Sequence, residues 1–280
     1  MASLRARQLI AKNVSIPTLP AVVQKIQTLL ENPNTSAQEV GEAVGSDAPL
    51  AARVLKIANS AFYGLRERCL APQHATSVLG VRVLRNVVTQ AAVMSQYEHL
   101  KGGDFDLDEQ WRHSIVVAQS CNFLGKRCRT FMGVSPDELY VCGLLHDLGK
   151  LVMLECLKKD YLEVARQSKQ RGVPMFAIEN EKLGFNHTDV GFVVAQQWGL
   201  PHQACSAIQH HHGPREALLT DPVAAMVANV NLLVHRVMEG NMTAAASVLD
   251  EHTSKLLGLR QSEVDELVEF VAQSMATVEV

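Results

Sequence analysis

One stretch constrains the fold more than any other. From Tyr140 to Met153 the chain is apolar on every face except at His146, Asp147 and Lys150. A helix without a polar face lies inside a protein, so it carries these three groups into a core where each must be paired or bound. Lys150 follows His146 by four residues and Asp147 by three, so on one helix all three converge on a single turn. An imidazole beside a carboxylate suits zinc, iron or manganese. A polar cluster in which Lys150 neutralises Asp147 explains the same residues, and the segment alone leaves both readings open.

The rest of the sequence has the same helical rhythm. Pro20 stands as a first helical residue, with Val23, Ile26, Leu29 and Leu30 following at helical spacing and Asn32-Pro33-Asn34 ending that helix. Ser36 with Glu39 reads as a capping box for a helix to about Val44, and Asp47 caps the next one. Asn59-Ser60 and Tyr63-Gly64 read as a turn, followed by a helix over about Gly80–Gln96. Further helices are expected at about Asp108–Phe131, Pro136–Cys156, Tyr161–Arg171, Pro174–Leu183, His187–Trp198, Pro201–His211 and Ala217–Glu239, then near Ala244–Leu257 and Ser262–Ala276. No stretch combines period-two alternation with hairpin turns. The expected class is all-α, a two-lobed helical bundle. Lys101-Gly102-Gly103-Asp104 is the natural linker, giving lobes at 1–103 and 104–239 and a C-terminal extension at 240–280.

Composition excludes several classes of function. With 26 Lys+Arg against 29 Asp+Glu, a formal charge of −3 gives no electrostatic reason to coat a nucleic acid. The segment from Ser36 to Asn59 has a helix–turn–helix rhythm, but its second helix offers only Arg53 and Lys56, so nucleic acid is not an expected partner. No apolar run approaches the ~18 residues of a membrane span, and the N-terminus lacks the apolar core of a signal peptide. Six cysteines form no C-x-x-C pair and sit among apolar neighbours, so the expectation is reduced thiols in a cytoplasmic protein.

Eleven histidines are the informative part of the composition. His113 shares an otherwise apolar line with Val117, Cys121 and Leu124. His187 opens a helix after Asn186, and His211 and His212 end another after Ile208. Each taken singly is more often a satisfied core or helix-end histidine. Inward histidines on several separate helices can instead meet in the middle of a bundle.

His113-Ser114, His146-Asp147 with Gly149-Lys150, His187 and the His211-His212 doublet resemble the ligand series of the HD superfamily of metal-dependent phosphohydrolases, with spacing close to its HD-GYP branch. The N-terminal text resembles the HDOD family, the HD-related output domains of bacterial signalling proteins. It comprises Ile16-Pro17-Thr18-Leu19-Pro20, Asp47-Ala48-Pro49-Leu50, Leu55 through Asn59-Ser60 to Tyr63-Gly64, and Val78-Leu79-Gly80. The resemblance runs from about residue 15 to about residue 235.

That resemblance implies a C-terminal lobe like the HD domain and a regulatory rather than hydrolytic role, exercised through ligand or protein binding. It implies a divalent metal (Fe, Mn, Zn or Mg) held by His113, His146, Asp147, His187, His211 and His212, or the vestige of such a site. The alternative it carries is a metal-dependent phosphohydrolase acting on a nucleotide or cyclic dinucleotide, with Lys150 stabilising phosphate charge. Two departures bear on catalysis. Asn229 best matches the late Asp of the superfamily, and Gly213-Pro214-Arg215 replaces the Gly-Tyr-Pro segment. The expected partner is a protein of a signalling pathway. The acidic amphipathic run Glu263–Val271 can dock on such a partner or on a second copy, or pack on its own domain.

Overall fold

Polar caps start the helices where the sequence expects them. The Ser36 hydroxyl accepts from the Glu39 backbone N–H at 3.2 Å, and the Glu39 carboxylate accepts from the Ser36 N–H at 2.8 Å. This reciprocal pair satisfies two donors that a helix end leaves orphaned. Asp47 caps the next helix through the Leu50 N–H at 3.0 Å. The computed structural model describes residues 2–12, 24–26, 28–29, 32, 35–101, 105–128, 133–241, 244–245, 248–249 and 251–278. Most of the helix expected from Pro20 to Leu30, the Ile16–Pro20 motif and the Gly102–Asp104 linker lie outside the described residues.

Among the described residues the fold is helical, without strands. The chain divides into two compact units. One comprises Pro17–His99 with Thr277–Val280; the other comprises Met1–Ile16 with Leu100–Ala276. Helix α1 (Ala2–Lys12) belongs to the second. In the first unit, α2 (Ala37–Gly45), α3 (Ala48–Ala58), α4 (Pro72–Leu79) and α5 (Val81–Gln96) pack on one another. The segment between α3 and α4 is fastened by Asn59. Its amide donates to the carbonyls of Leu55 (2.8 Å) and Cys69 (2.9 Å), and its oxygen accepts from the Cys69 N–H (2.7 Å).

The second unit continues with α6 (Leu107–Gly125), α7 (Pro136–Leu145), α8 (Leu148–Leu157), α9 (Lys159–Arg171) and α10 (Met175–Leu183). These are followed by α11 (His187–Gln197), α12 (His202–His210), α13 (Arg215–Leu218), α14 (Pro222–Met238), α15 (Glu251–Leu257) and α16 (Gln261–Thr277). Helices α6 and α7 form one packed pair and α8 and α11 another, with α12 and α14 closing against α7.

Two differences from the sequence reading matter for function. The expected helix Pro136–Cys156 is two helices, because Asp147 leaves helical geometry (φ −97°, ψ 10°) at the position just before α8. The break turns the Asp147 side chain away from its own helix end; it makes no cap bond. The expected helix Ala217–Glu239 is also two, since Asp221 caps α14 through the Ala224 N–H and Pro222 occupies its first turn.

Candidate metal centre

Close helix approach builds the pocket. A Cβ on Gly149 would lie 1.8 Å from the His187 carbonyl oxygen, one on Gly143 2.8 Å from the Ala118 Cα, and one on Gly191 2.8 Å from Ile208. Only hydrogen fits at these crossings, so α8 reaches α11 and α7 reaches α6 at backbone distance. The histidines of α6, α7, α11 and α12 are thereby drawn to one carboxylate.

That carboxylate is Asp147, almost fully buried. Its Oδ1 lies 3.3 Å from His187 Nε2 and 3.5 Å from His211 Nε2. Its Oδ2 lies 3.3 Å from His146 Nε2, 3.7 Å from His113 Nε2 and 2.6 Å from Lys150 Nζ. The ligand atoms of Asp147, His187, His211 and His212 fall within 4.8 Å of one another, as do those of His113, His146 and Asp147. The structure therefore brings all six expected histidine and aspartate side chains, and Lys150, into one pocket. His212 is only half-buried, with its ring stacked on Phe176 at 4.4 Å.

Hydrogen bonds on the far side of each ring fix its protonation. His146 Nδ1 lies 2.7 Å from the Gly143 carbonyl and His211 Nδ1 3.0 Å from the Ile208 carbonyl. A carbonyl can only accept, so each Nδ1 carries a proton and each ring turns its Nε2 to Asp147. His187 is held by Glu179, whose Oε2 accepts from both the His187 Nδ1–H (2.7 Å) and its backbone N–H (2.9 Å). Glu179 is held in turn by the Tyr161 hydroxyl at 2.6 Å. A carboxylate behind a histidine in this way orients metal-binding imidazoles and raises their basicity.

The electrostatics follow from burial and from these neighbours. Burial works against charge on Asp147, but the charges of His146 and Lys150 and the hydrogen bonds of His146 and His187 outweigh it. They hold its carboxyl well below the usual carboxylate range. Burial pushes His211 down to about 3 and His235 down to about 4. It also lowers His113 and His212 strongly, so these rings stay neutral. His187 is the exception: burial opposes its charge, but Glu179 and Asp147 prevail and raise it.

The donor set fits a divalent cation. Asp147 Oδ1 is buried and has no hydrogen-bond donor. It faces Nε2 of His187 and Nε2 of His211, themselves 3.3 Å apart. A carboxylate oxygen and two imidazole nitrogens converge on one point, and imidazole with carboxylate is the donor chemistry of zinc, iron and manganese.

Four contributors were not singled out in the sequence. Gln110 donates to Asp147 Oδ2 at 3.1 Å, and its position three residues before His113 was a usable signal. Glu179 and Tyr161 reach the site across helices, which no local spacing encodes. His235 of α14 stacks on His113 with centroids 4.3 Å apart. Asn229, by contrast, is half-buried and turns its amide back to the Ala225 carbonyl at 2.7 Å. The face of α14 that meets His113 carries His235.

A family model, the HDOD domain, matches residues 16–214. The chain belongs to the HDOD family. An uncharacterized protein of Treponema pallidum (strain Nichols) is 26% identical to this HDOD chain over 226 residues, which are 80% of the chain and 43% of the relative. The chain thus spans less than half the length of that curated relative. Among solved structures, an HDOD domain protein of unknown function from Geobacter sulfurreducens matches with TM-score 0.82 and 24% identity, over 98% of this chain and 96% of the other. A protein of Shewanella amazonensis SB2B with a provisional phosphohydrolase name matches at TM-score 0.76 and 24% identity, with coverage of 98% and 96%. One from Marinobacter aquaeolei VT8, provisionally named a signal transduction protein, matches at 0.75 and 22%, with coverage of 99% and 67%. At these identities the likeness to solved structures shows the fold. No helix among the described residues is long and apolar enough to cross a membrane.

Proposed function

We propose that this HDOD chain is a bacterial signal-transduction protein that works by binding a ligand or a protein partner around a buried divalent metal. Asp147, His187, His211 and His212, with His113 and His146, are the proposed ligands. The observation that carries this reading is Asp147 Oδ1, a buried carboxylate oxygen without a hydrogen-bond partner, faced by Nε2 of two imidazoles whose Nδ1 atoms are anchored elsewhere. Occupancy would join α8, α11 and α12 through one charge. In that way the helices of the unit become responsive to a single event.

Turnover is disfavoured by two features. His113, His146, His187 and His211 are each at most 3% exposed, so a phosphodiester has little approach to them. Beside His113, α14 offers the His235 imidazole where the HD superfamily supplies a carboxylate. The second reading, a phosphohydrolase of nucleotides or cyclic dinucleotides, draws on the Lys150 ammonium beside Asp147 and on the provisional name of the Shewanella protein. A bound metal would supply Lewis-acid activation of water and phosphate there. Lys150 would neutralise phosphate charge, and Asp147 and Glu179 would hold the rings in place.

The test is elemental analysis of protein purified without added metal, paired with a cyclic-dinucleotide hydrolysis assay. Metal without hydrolysis supports the binding role. Metal-dependent hydrolysis that His146→Ala abolishes replaces it with the second reading. Protein that takes up no divalent metal in any form overturns both. The six free cysteines and the absence of a membrane-spanning helix among the described residues support the cytoplasm as the proposed compartment.

A further inference from the structure

The segment joining α3 to α4 holds a leucine out in solvent. Leu70 is 81% exposed, more than any other large hydrophobic side chain among the described residues. Its position is not slack. Cys69, just before it, is buried, and its N–H and its carbonyl are bonded to the Asn59 carboxamide at 2.7 and 2.9 Å. The backbone is thereby pinned with Leu70 turned outward, and a side chain presented rigidly loses little freedom on binding. Leu65 and Leu79 are half-buried and pack on the core that Cys69 forms with Ala58 and Ala75, and Val78 beside Leu79 is 49% exposed. Together they make an apolar ledge on the first unit.

Arginines flank the ledge. Arg66, Arg68 and Arg82 are exposed and make no ion pair among the described residues. Between Asp47 and Glu98 the sequence has six arginines and lysines, with Glu67 as its one acid. The C-terminal extension has the opposite character: residues 239–280 include eight acids and two basic residues. Helix α16 displays part of that charge. Its Val264, Leu267 and Val271 are buried, while Asp265, Glu269, Ala272 and Ala276 fall on the other side at spacings of four, three and four. Asp265 and Glu269 are exposed, and Glu269 meets no cation among the described residues. Ala272 and Ala276 leave a shallow apolar floor in line with them.

We propose that the ledge of one copy docks on this outer face of α16 in a second copy. Leu70 then lies over Ala272 and Ala276, with Arg66, Arg68 and Arg82 against Asp265 and Glu269. A second copy is the occupant because the chain itself supplies the complementary surface, small residues for the leucine and carboxylates for unpaired arginines. A nucleic acid fits less well. It has no use for the apolar centre, and Phe62 and Tyr63 of the same segment are half-buried edge-to-face at 4.9 Å rather than open for base stacking. Each copy carries one ledge and one α16, so the contact is heterologous. It uses no residue of the Asp147 pocket and is independent of the metal-binding reading.

The experiment is sedimentation equilibrium of the full-length chain over a range of concentrations, at low and at high salt, with circular dichroism as a folding control. The wild type is expected to associate as its concentration rises and to dissociate as salt screens the contact. Arg66→Glu/Arg68→Glu/Arg82→Glu and, separately, Asp265→Lys/Glu269→Lys should each associate at least about tenfold more weakly, because each sets like charges against one another. Mixed together, these two variants should associate again, since the acidic α16 of the first meets the arginines of the second. Leu70→Ser should weaken association about tenfold through the lost apolar burial. A wild type that stays monomeric throughout overturns the inference, as do charge-reversed variants that associate like the wild type or a mixture that does not restore association. Should a charge-reversed variant fail to fold, Leu70→Ser decides, and wild-type association in that variant overturns the inference. A monomeric wild type that binds duplex DNA through the same arginines assigns the face to nucleic acid and overturns it too.

Discussion

Glu179 offers the sharpest test of how the pocket is held. Its carboxylate is fully buried and accepts three hydrogen bonds: from Tyr161 (2.6 Å), from His187 Nδ1 (2.7 Å) and from the His187 backbone (2.9 Å). Glu179→Leu keeps most of the volume and strands all three donors inside the unit. A stranded buried donor costs about 1–3 kcal/mol, so the loss is about 3 kcal/mol even at the low end. For a unit of this size each kcal/mol lowers the melting temperature by about 2–4 °C, giving a fall of about 6–12 °C in thermal melts of metal-free protein. Glu179→Gln separates charge from geometry. Its amide oxygen can still accept from both His187 donors while its NH₂ faces the Tyr161 oxygen, so the melting temperature should change little. Its metal affinity, read by competition with a chromogenic chelator, should fall about 10–100-fold, or about 1.4–2.8 kcal/mol, through the lower basicity of His187. An unchanged melting temperature in Glu179→Leu, or wild-type metal affinity in both variants, would refute the reasoning.

Gly149→Ala drives a methyl group into the His187 carbonyl and should cost about 1–3 kcal/mol or more in urea unfolding and weaken metal uptake. Gly45→Ala, with open space around its Cβ position, should be neutral or slightly stabilising and serves as the control. Asn59→Ala removes the three bonds fastening the segment between α3 and α4, so that segment should become the first site of limited proteolysis at a stability cost of about 1–3 kcal/mol. Metal-free protein should lose stability on acidification. Above about pH 6.5 the lowered rings, His235 and His211, are neutral in both states. Below it the unfolded chain takes up protons that folded His235 refuses until about 4 and folded His211 until about 3. Each such ring costs about 1.4 kcal/mol per pH unit in that window. His187, raised instead, contributes stability at low pH that is lost as pH rises through its folded value. With the lowered rings in the majority, denaturation midpoints that are higher at about pH 5.5 than at about pH 7.5 would contradict this.

Much of the fold was legible because its signals are local. Ser36 with Glu39, Asp47 before Pro49 and Asn186 before His187 are caps whose partners lie within three residues. The break at His146-Asp147 was hidden because apolar residues run continuously through it, and periodicity reports burial rather than chain direction. The split at Asp221-Pro222 carried a readable cap-and-proline signal that the apolar run beyond it masked. At the site, histidine spacing gave the inward lines of His113, His187 and His211. Which residues stand behind them depended on crossings between helices: Glu179 reaches His187 from α10, and His235 reaches His113 from α14. Asn229 matched a superfamily position by sequence register, yet its amide turns back to its own helix and α14 brings His235 to His113 instead.

His146 and His211 are each anchored to a carbonyl three residues back on their own helix. The aim of these rings is thus a local property of the rod that bears them, and emptying the pocket gives them nowhere to swing. In the proposed binding role, filling or clearing it would therefore act on whole helices rather than on single rings.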